Sequence, residues 1–148
     1  MAAESGPWVV DASVAFGWFV AVPGSANAAR LLNAGPATLR LAPDLVLVEL
    51  LNAGWKGLRL GAITSEQFQV LANRAAEPFS RLIPSHTLLA RAGYWCLELD
   101  HPAYDCLYVA LAEQERATLI TADQRLLRKL QQPRPGLPAA LDLADLTD

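Results

Sequence analysis

Lysine is nearly absent from this 148-residue chain: Lys56 and Lys129 stand beside ten arginines. That scarcity argues against a phosphoacceptor receiver domain, which needs a lysine on a late strand, because both lysines fall in helical segments. Cysteine is scarce too, and Cys96 and Cys106 lack metal-type spacing. Neither a zinc cage nor a disulfide framework is expected, and both are read as reduced, buried thiols. No stretch reaches the ~18 uncharged apolar residues of a membrane span. The opening "MAAESGPWVVD" has no basic residue and so no secretory n-region, which makes the cytoplasm the expected location.

What is present describes a folded α/β domain. Hydrophobic residues make up 53% and charged residues 18%, a globular balance. The length suits one domain, taken as residues 1–148. Strands are expected at 7–12, 37–43, 81–85, 118–123 and 139–143. Helical turns are expected at 13–20. Helices are expected at 25–33 behind a Ser25 cap, 44–60, 64–79, 85–100 behind Ser85, 101–117 with Pro102 near its first position, and 123–132. Continuous apolar strands alternating with helices predict a three-layer α/β/α sandwich around a parallel sheet. The two helices at 44–60 and 64–79 exceed one crossover and are expected to form a projecting arm.

Four acids fit poorly with packing alone. "WVVDAS" and "LITADQRLL" each run an apolar strand into an aspartate, Asp11 and Asp123. In parallel α/β sheets the ligand crevice lies beyond the carboxyl ends of the strands, so two such acids can face one site. Each is equally suited to cap the following helix. Glu49 lies within "LVLVELLNA", a segment apolar nearly all round and therefore expected to be buried. A charge there must be paired, hold a cation or reach a cleft. Asn52 follows on the same helical face. Asp105 opens an apolar helix, where the helix dipole also favours it. Four carboxylates gathered together repel one another, and a hard cation, Mg²⁺ or Mn²⁺, is the natural neutraliser. Such a site suits attack on a phosphodiester. The net charge of −3 does not oppose an RNA substrate: setting four acids aside leaves 11 against 12 basic residues, mostly arginine.

"VVDASV", "PDLVLVELLNA", "YDCLYVALA", "LITADQRLL" and "LDLADL", in this order and spacing, resemble the PIN-domain ribonucleases, and more narrowly the VapC toxins of bacterial toxin–antitoxin pairs. The resemblance runs over residues 8–146. It implies an α/β/α sandwich and a Mg²⁺- or Mn²⁺-dependent endoribonuclease with Asp11, Glu49, Asp105 and Asp123 as catalytic and metal-binding residues. Ser13, Asn52 and Thr121 match supporting positions of that family. The resemblance further implies an RNA substrate, a homodimer and a VapB-like antitoxin partner. Two features depart from the family pattern: a long "QQPRPGLPA" connection, and His101-Pro102 where many relatives carry serine or threonine.

The remaining alternative is a PIN-like fold that binds RNA or a partner without cutting. His86 and His101 both follow helix-entry signals and are expected at the surface. Trp8, Trp18 and Trp95 are expected in packing, and Trp55, beside Lys56 and Arg59, is the one placed to meet a base.

Overall fold

The computed structural model describes residues 6–35 and 37–146. Five strands form one sheet: β1 (Trp8–Val10), β2 (Arg40–Pro43), β3 (Arg81–Ile83), β4 (Thr118–Thr121) and β5 (Ala140–Asp142). Their order is β3-β2-β1-β4-β5, and every neighbouring pair is parallel. The helices are α1 (Ala12–Ala15), α2 (Ser25–Leu32), α3 (Leu45–Arg59), α4 (Ser65–Arg74), α5 (Leu89–Leu99), α6 (Ala103–Glu115) and α7 (Gln124–Leu130). They flank the sheet, giving the expected three-layer α/β/α architecture.

The central strands explain their own placement. Trp8, Val9 and Val10 are all buried, as are Leu119 and Ile120, so β1 and β4 are dark on both faces. A strand covered on both faces reads as an unbroken apolar run. The chain goes outward from β1 through β2 to β3, then returns to β4 on the other side of β1. The order therefore reverses between β1 and β4, and α/β sheets bind ligands in the crevice at such a reversal.

Helix α6 is the central helix of the core. Every residue from Cys106 to Ala112 is buried, and the helix packs on α5, β1, β2 and β4. Each large apolar side chain so enclosed contributes roughly 1.5–3 kcal/mol of transfer free energy. Truncating Leu111 to alanine would cost about 2–5 kcal/mol, because the close-packed surroundings cannot collapse into the gap.

Helix α3 departs from expectation. It is not enclosed on all sides: Val46, Leu50 and Gly54 face the core, whereas Val48 is 64% and Trp55 46% exposed. Its outer face is apolar yet wet. Gly54 permits close approach to α4, since a Cβ there would run into Leu71 and Phe68. A capping box at Thr64 and Gln67 starts α4, as the sequence pattern requires.

Two expected caps have other duties. Ser25 lies inside α2, whose N-cap is Gly24, and its hydroxyl ties the preceding loop by accepting from Val22 N at 3.0 Å. Ser85 opens a 3-10 turn before α5, and its hydroxyl caps α3 across space by accepting from Leu45 N at 3.2 Å. Both are side chain to backbone bonds, the first three residues back in the chain and the second forty residues away.

Candidate metal centre

The crevice between β1 and β4 is built by register. Asp11 is the first residue beyond β1, and its N–H still donates to Ile120 O at 3.2 Å. That bond extends the ladder one step and sets Thr121 beside Asp11. The Thr121 hydroxyl donates to Asp11 Oδ2 and accepts from Asp123 N at 3.0 Å. The Ser13 N–H, at 2.8 Å, and the Ser13 hydroxyl both donate to Asp11 Oδ1. Ser13 Oγ in turn accepts from Ala122 N at 3.1 Å. Two hydroxyls thus stitch the ends of the two strands together around one carboxylate.

Asp11 is only 5% exposed. Burial pushes its pKa from the usual 3.8 up to about 6, although the bonds from Ser13 and Thr121 pull it back down; Asp105 adds a small repulsion. The carboxylate is held ionised by donors but is short of positive charge. It also caps α1, so the capping role and the site-facing position coexist.

Glu49 projects from α3 towards the same place. Tyr108 of α6 donates its hydroxyl to Glu49 Oε1 at 2.5 Å. Burial raises the Glu49 pKa, the tyrosine bond lowers it, and Asp11 and Asp105 raise it again. The group is half-buried beside two other acids, and the partner it has found is a neutral hydroxyl and not an arginine. Tyr108 is itself buried, and desolvation together with Glu49 holds its hydroxyl well above the ordinary range, so it stays a donor.

Asp105 sits in the first turn of α6, with Oδ2 2.6 Å from His101 Nε2. Asp123 uses Oδ1 to cap α7, accepting from Arg125 N at 2.9 Å and Leu126 N at 3.2 Å. One ligand atom from each of His101, Asp105 and Asp123 lies within 4.8 Å of the others. Asn52 is exposed and shares a cleft of about 340 Å³ with Ser13, Phe16, Glu49 and Lys56. Of the seven residues singled out in the sequence, Ser13, Glu49 and Asn52 line this cleft, Asp11 is bonded to Ser13 and Thr121, and Asp105 and Asp123 come together at His101.

The donor set fits a divalent cation. No arginine or lysine is bonded to Asp11, Glu49, Asp105 or Asp123 among the described residues; Asp105 and Asp123 meet at His101, while Asp11 and Glu49, outside that trio, are pushed towards protonation by burial and by neighbouring acids. Oxygen donors of this kind suit Mg²⁺ or Mn²⁺.

Two site neighbours escaped the sequence reading. His101 was expected at the surface, but its side chain is 3% exposed. The α5 helix ends at Asp100 in the left-handed conformation, φ 49°, and the reversed chain drives the imidazole inward against α6. The i,i+4 spacing of His101 and Asp105 was the available signal. Tyr108 carried none, because nothing in one dimension pairs it with Glu49. His86, by contrast, is exposed as expected.

The PIN domain family profile matches residues 8–131. Ribonuclease VapC3 of Pyrobaculum aerophilum is 31% identical over 124 residues, covering 82% of this chain and 92% of the relative. Among solved structures, PAE2754 from Pyrobaculum aerophilum aligns with a TM-score of 0.60 at 24% identity, over 94% of this chain and 92% of that one. VapBC2 from Rickettsia felis, solved bound to a DNA fragment from its promoter, aligns with a TM-score of 0.63 at 19% identity, over 91% of this chain and 97% of that one. With its fold, its matched residues and its VapC relative in agreement, the chain belongs to the PIN domain family.

Proposed function

We propose that the chain is a single PIN-like domain acting as a metal-dependent endoribonuclease, the toxin of a VapBC-type pair. The observation that carries this reading is that Asp105 and Asp123 come together at His101, with Asp11 and Glu49 near enough to feel Asp105 and with no arginine or lysine bonded to any of the four acids among the described residues. A Mg²⁺ or Mn²⁺ held by these residues would supply Lewis acidity for the attack of water on a phosphodiester.

The chain's own residues do the positioning. Ser13 and Thr121 fix the Asp11 carboxylate and partly offset what burial costs its charge. Tyr108 orients Glu49, and the α7 amides orient Asp123. Asn52 and Lys56 line the cleft leading inward, where an RNA backbone presents phosphates to the lysine. Trp55 lies under Arg59, 5.1 Å from its ring centroid, and offers a partly exposed face for stacking.

The same reading includes a VapB-like antitoxin. An apolar groove of about 250 Å³ between α3 and α4, lined by Leu47, Val48, Leu51, Leu71 and Ala75, suits the apolar face of a helix. A basic side chain beyond that helix would quench the acids. A homodimer would cover exposed Leu89 and Leu97 of α5. No described helix is long and apolar enough to cross a membrane, and the free thiols of Cys96 and Cys106 suit the cytoplasm.

The test is cleavage of a cellular RNA pool with Mg²⁺ or Mn²⁺, with and without EDTA, by wild type and by Asp105→Asn. Cleavage is expected only from wild type with metal. Undiminished cutting in EDTA would sink the metal mechanism. Co-expression with a VapB-like antitoxin, sought as a small gene beside this one, is expected to yield a stable, inactive complex; toxicity that persists without complex formation would end the antitoxin claim.

A further inference from the structure

An all-carboxylate centre and a centre with one imidazole do not choose the same cation. Mg²⁺ prefers hard oxygens and keeps much of its water. Imidazole nitrogen favours transition cations, whose affinities rise along the first row from Mn²⁺ onward. The four acids alone give no reason to discriminate between Mg²⁺ and Mn²⁺. His101 does.

Its placement is specific. The left-handed turn at Asp100 ends α5, Pro102 caps α6, and the imidazole between them is packed against the head of the core helix. The side chain is 3% exposed, so it is enclosed by its neighbours. Its Nε2 is 2.6 Å from Asp105 Oδ2. A nitrogen of this ring and one oxygen each from Asp105 and Asp123 lie within 4.8 Å of one another. On one ion at ~2.1 Å, adjacent ligands stand about 3.0 Å apart and opposite ones about 4.2 Å, so binding would replace the proton shared by Nε2 and Oδ2 with the ion and part the two atoms slightly.

We propose that His101 is the nitrogen ligand of the metal centre and that it makes the centre select Mn²⁺, or a later first-row cation, over Mg²⁺. This rests on the reading that the acid cluster holds a divalent cation. A histidine that merely steadied Asp105 through a hydrogen bond would leave an all-oxygen donor set and no such preference.

The experiment needs no RNA. Mn²⁺ is titrated into the full-length protein, binding is followed by electron paramagnetic resonance, pulsed measurements look for ¹⁴N coupling to the ion, and Mg²⁺ is added as competitor. Wild type is expected to show the coupling of a directly bonded imidazole. His101→Gln is expected to lose it and to lower the preference for Mn²⁺ over Mg²⁺ by about 10–100-fold, the scale on which metal-site partners act. His86→Ala, which removes the other histidine, is expected to keep both. Mn²⁺ bound to wild type without nitrogen coupling overturns the proposal, whether or not the variant folds. So does an unchanged preference in His101→Gln, or coupling lost only in His86→Ala. In those cases the acid-cluster reading stands. Absence of any Mn²⁺ or Mg²⁺ binding, with cleavage indifferent to EDTA, would remove that reading as well.

Discussion

The two ends of α6 hold carboxylates in opposite conditions. At the far end, Glu113 accepts from Arg91 Nε at 2.9 Å and Nη2 at 2.6 Å, and from Trp95 Nε1 at 3.0 Å. The Arg91 bonds hold its pKa below the usual range, and Trp95 adds to the effect. At the near end lie Asp105, Glu49 and Asp11. Glu49 also has an aromatic donor, Tyr108, yet its pKa moves up, because burial and two other acids outweigh one hydroxyl. One helix thus separates a carboxylate completed by the chain from a group of carboxylates left short of positive charge. The presence of an aromatic donor does not distinguish them. The presence of a guanidinium does.

The contrast is broken most severely by exchanging charges. Asp11→Asn, at the near end, is expected to cut RNA cleavage by at least the 10–100-fold that losing a metal-site partner costs. Glu113→Gln, at the far end, is expected to leave cleavage within about twofold, since it removes no group near the crevice. Initial rates on an RNA pool with Mn²⁺ decide both. Loss of activity in Glu113→Gln comparable to that in Asp11→Asn would erase the distinction.

A milder change should sharpen it. Tyr108→Phe removes the one bond that lowers the Glu49 pKa, so that pKa rises further. Cleavage at neutral pH is expected to fall about tenfold, and the acid limb of the pH–rate profile to move to higher pH. A profile that scales down without moving would mean that the hydroxyl does not act through Glu49.

Stability gives opposite signs at the two ends. Glu113→Ala strands the Trp95 indole N–H and is expected to cost about 1–3 kcal/mol in chemical denaturation. Asp11→Asn in metal-free protein is expected to stabilise. The folded pKa of Asp11, about 6, lies above the usual 3.8. The folded state therefore takes up a proton first, and that benefit is full below 3.8 and gone once the pH rises through about 6. Wild type carries an ionised buried carboxylate above that window, at a cost of about 1–3 kcal/mol. The gain from asparagine should be largest near pH 7.5 and shrink towards pH 4. A gain independent of pH would have some other cause.

Sequence made the sheet and the strand-end acids Asp11 and Asp123 legible for one reason: buried parallel strands are unbroken apolar runs, and an acid that ends such a run is conspicuous. Trp8–Val10 ending at Asp11, and Leu119–Thr121 leading to Asp123, needed no third dimension. The α3 helix was misread because composition registers an apolar residue without saying which face it occupies. Val48 and Trp55 are as hydrophobic as Leu50, yet they point outward. Ser85 capping α3, and Tyr108 holding Glu49, join residues distant in the chain, and no spacing rule reaches them. His101 was misplaced because a helix-entry signal ordinarily marks the surface, whereas the turn at Asp100 folds this entry inward.

Helix α6 has no wet face between Cys106 and Ala112. Amides on such a helix exchange with deuterium only when the whole cooperative unit opens, unlike those of a frayed surface helix. Asp105 stands in the first turn of that helix, directly before its buried stretch, so its frame is anchored to the core. Surface loops can move many times without disturbing that frame.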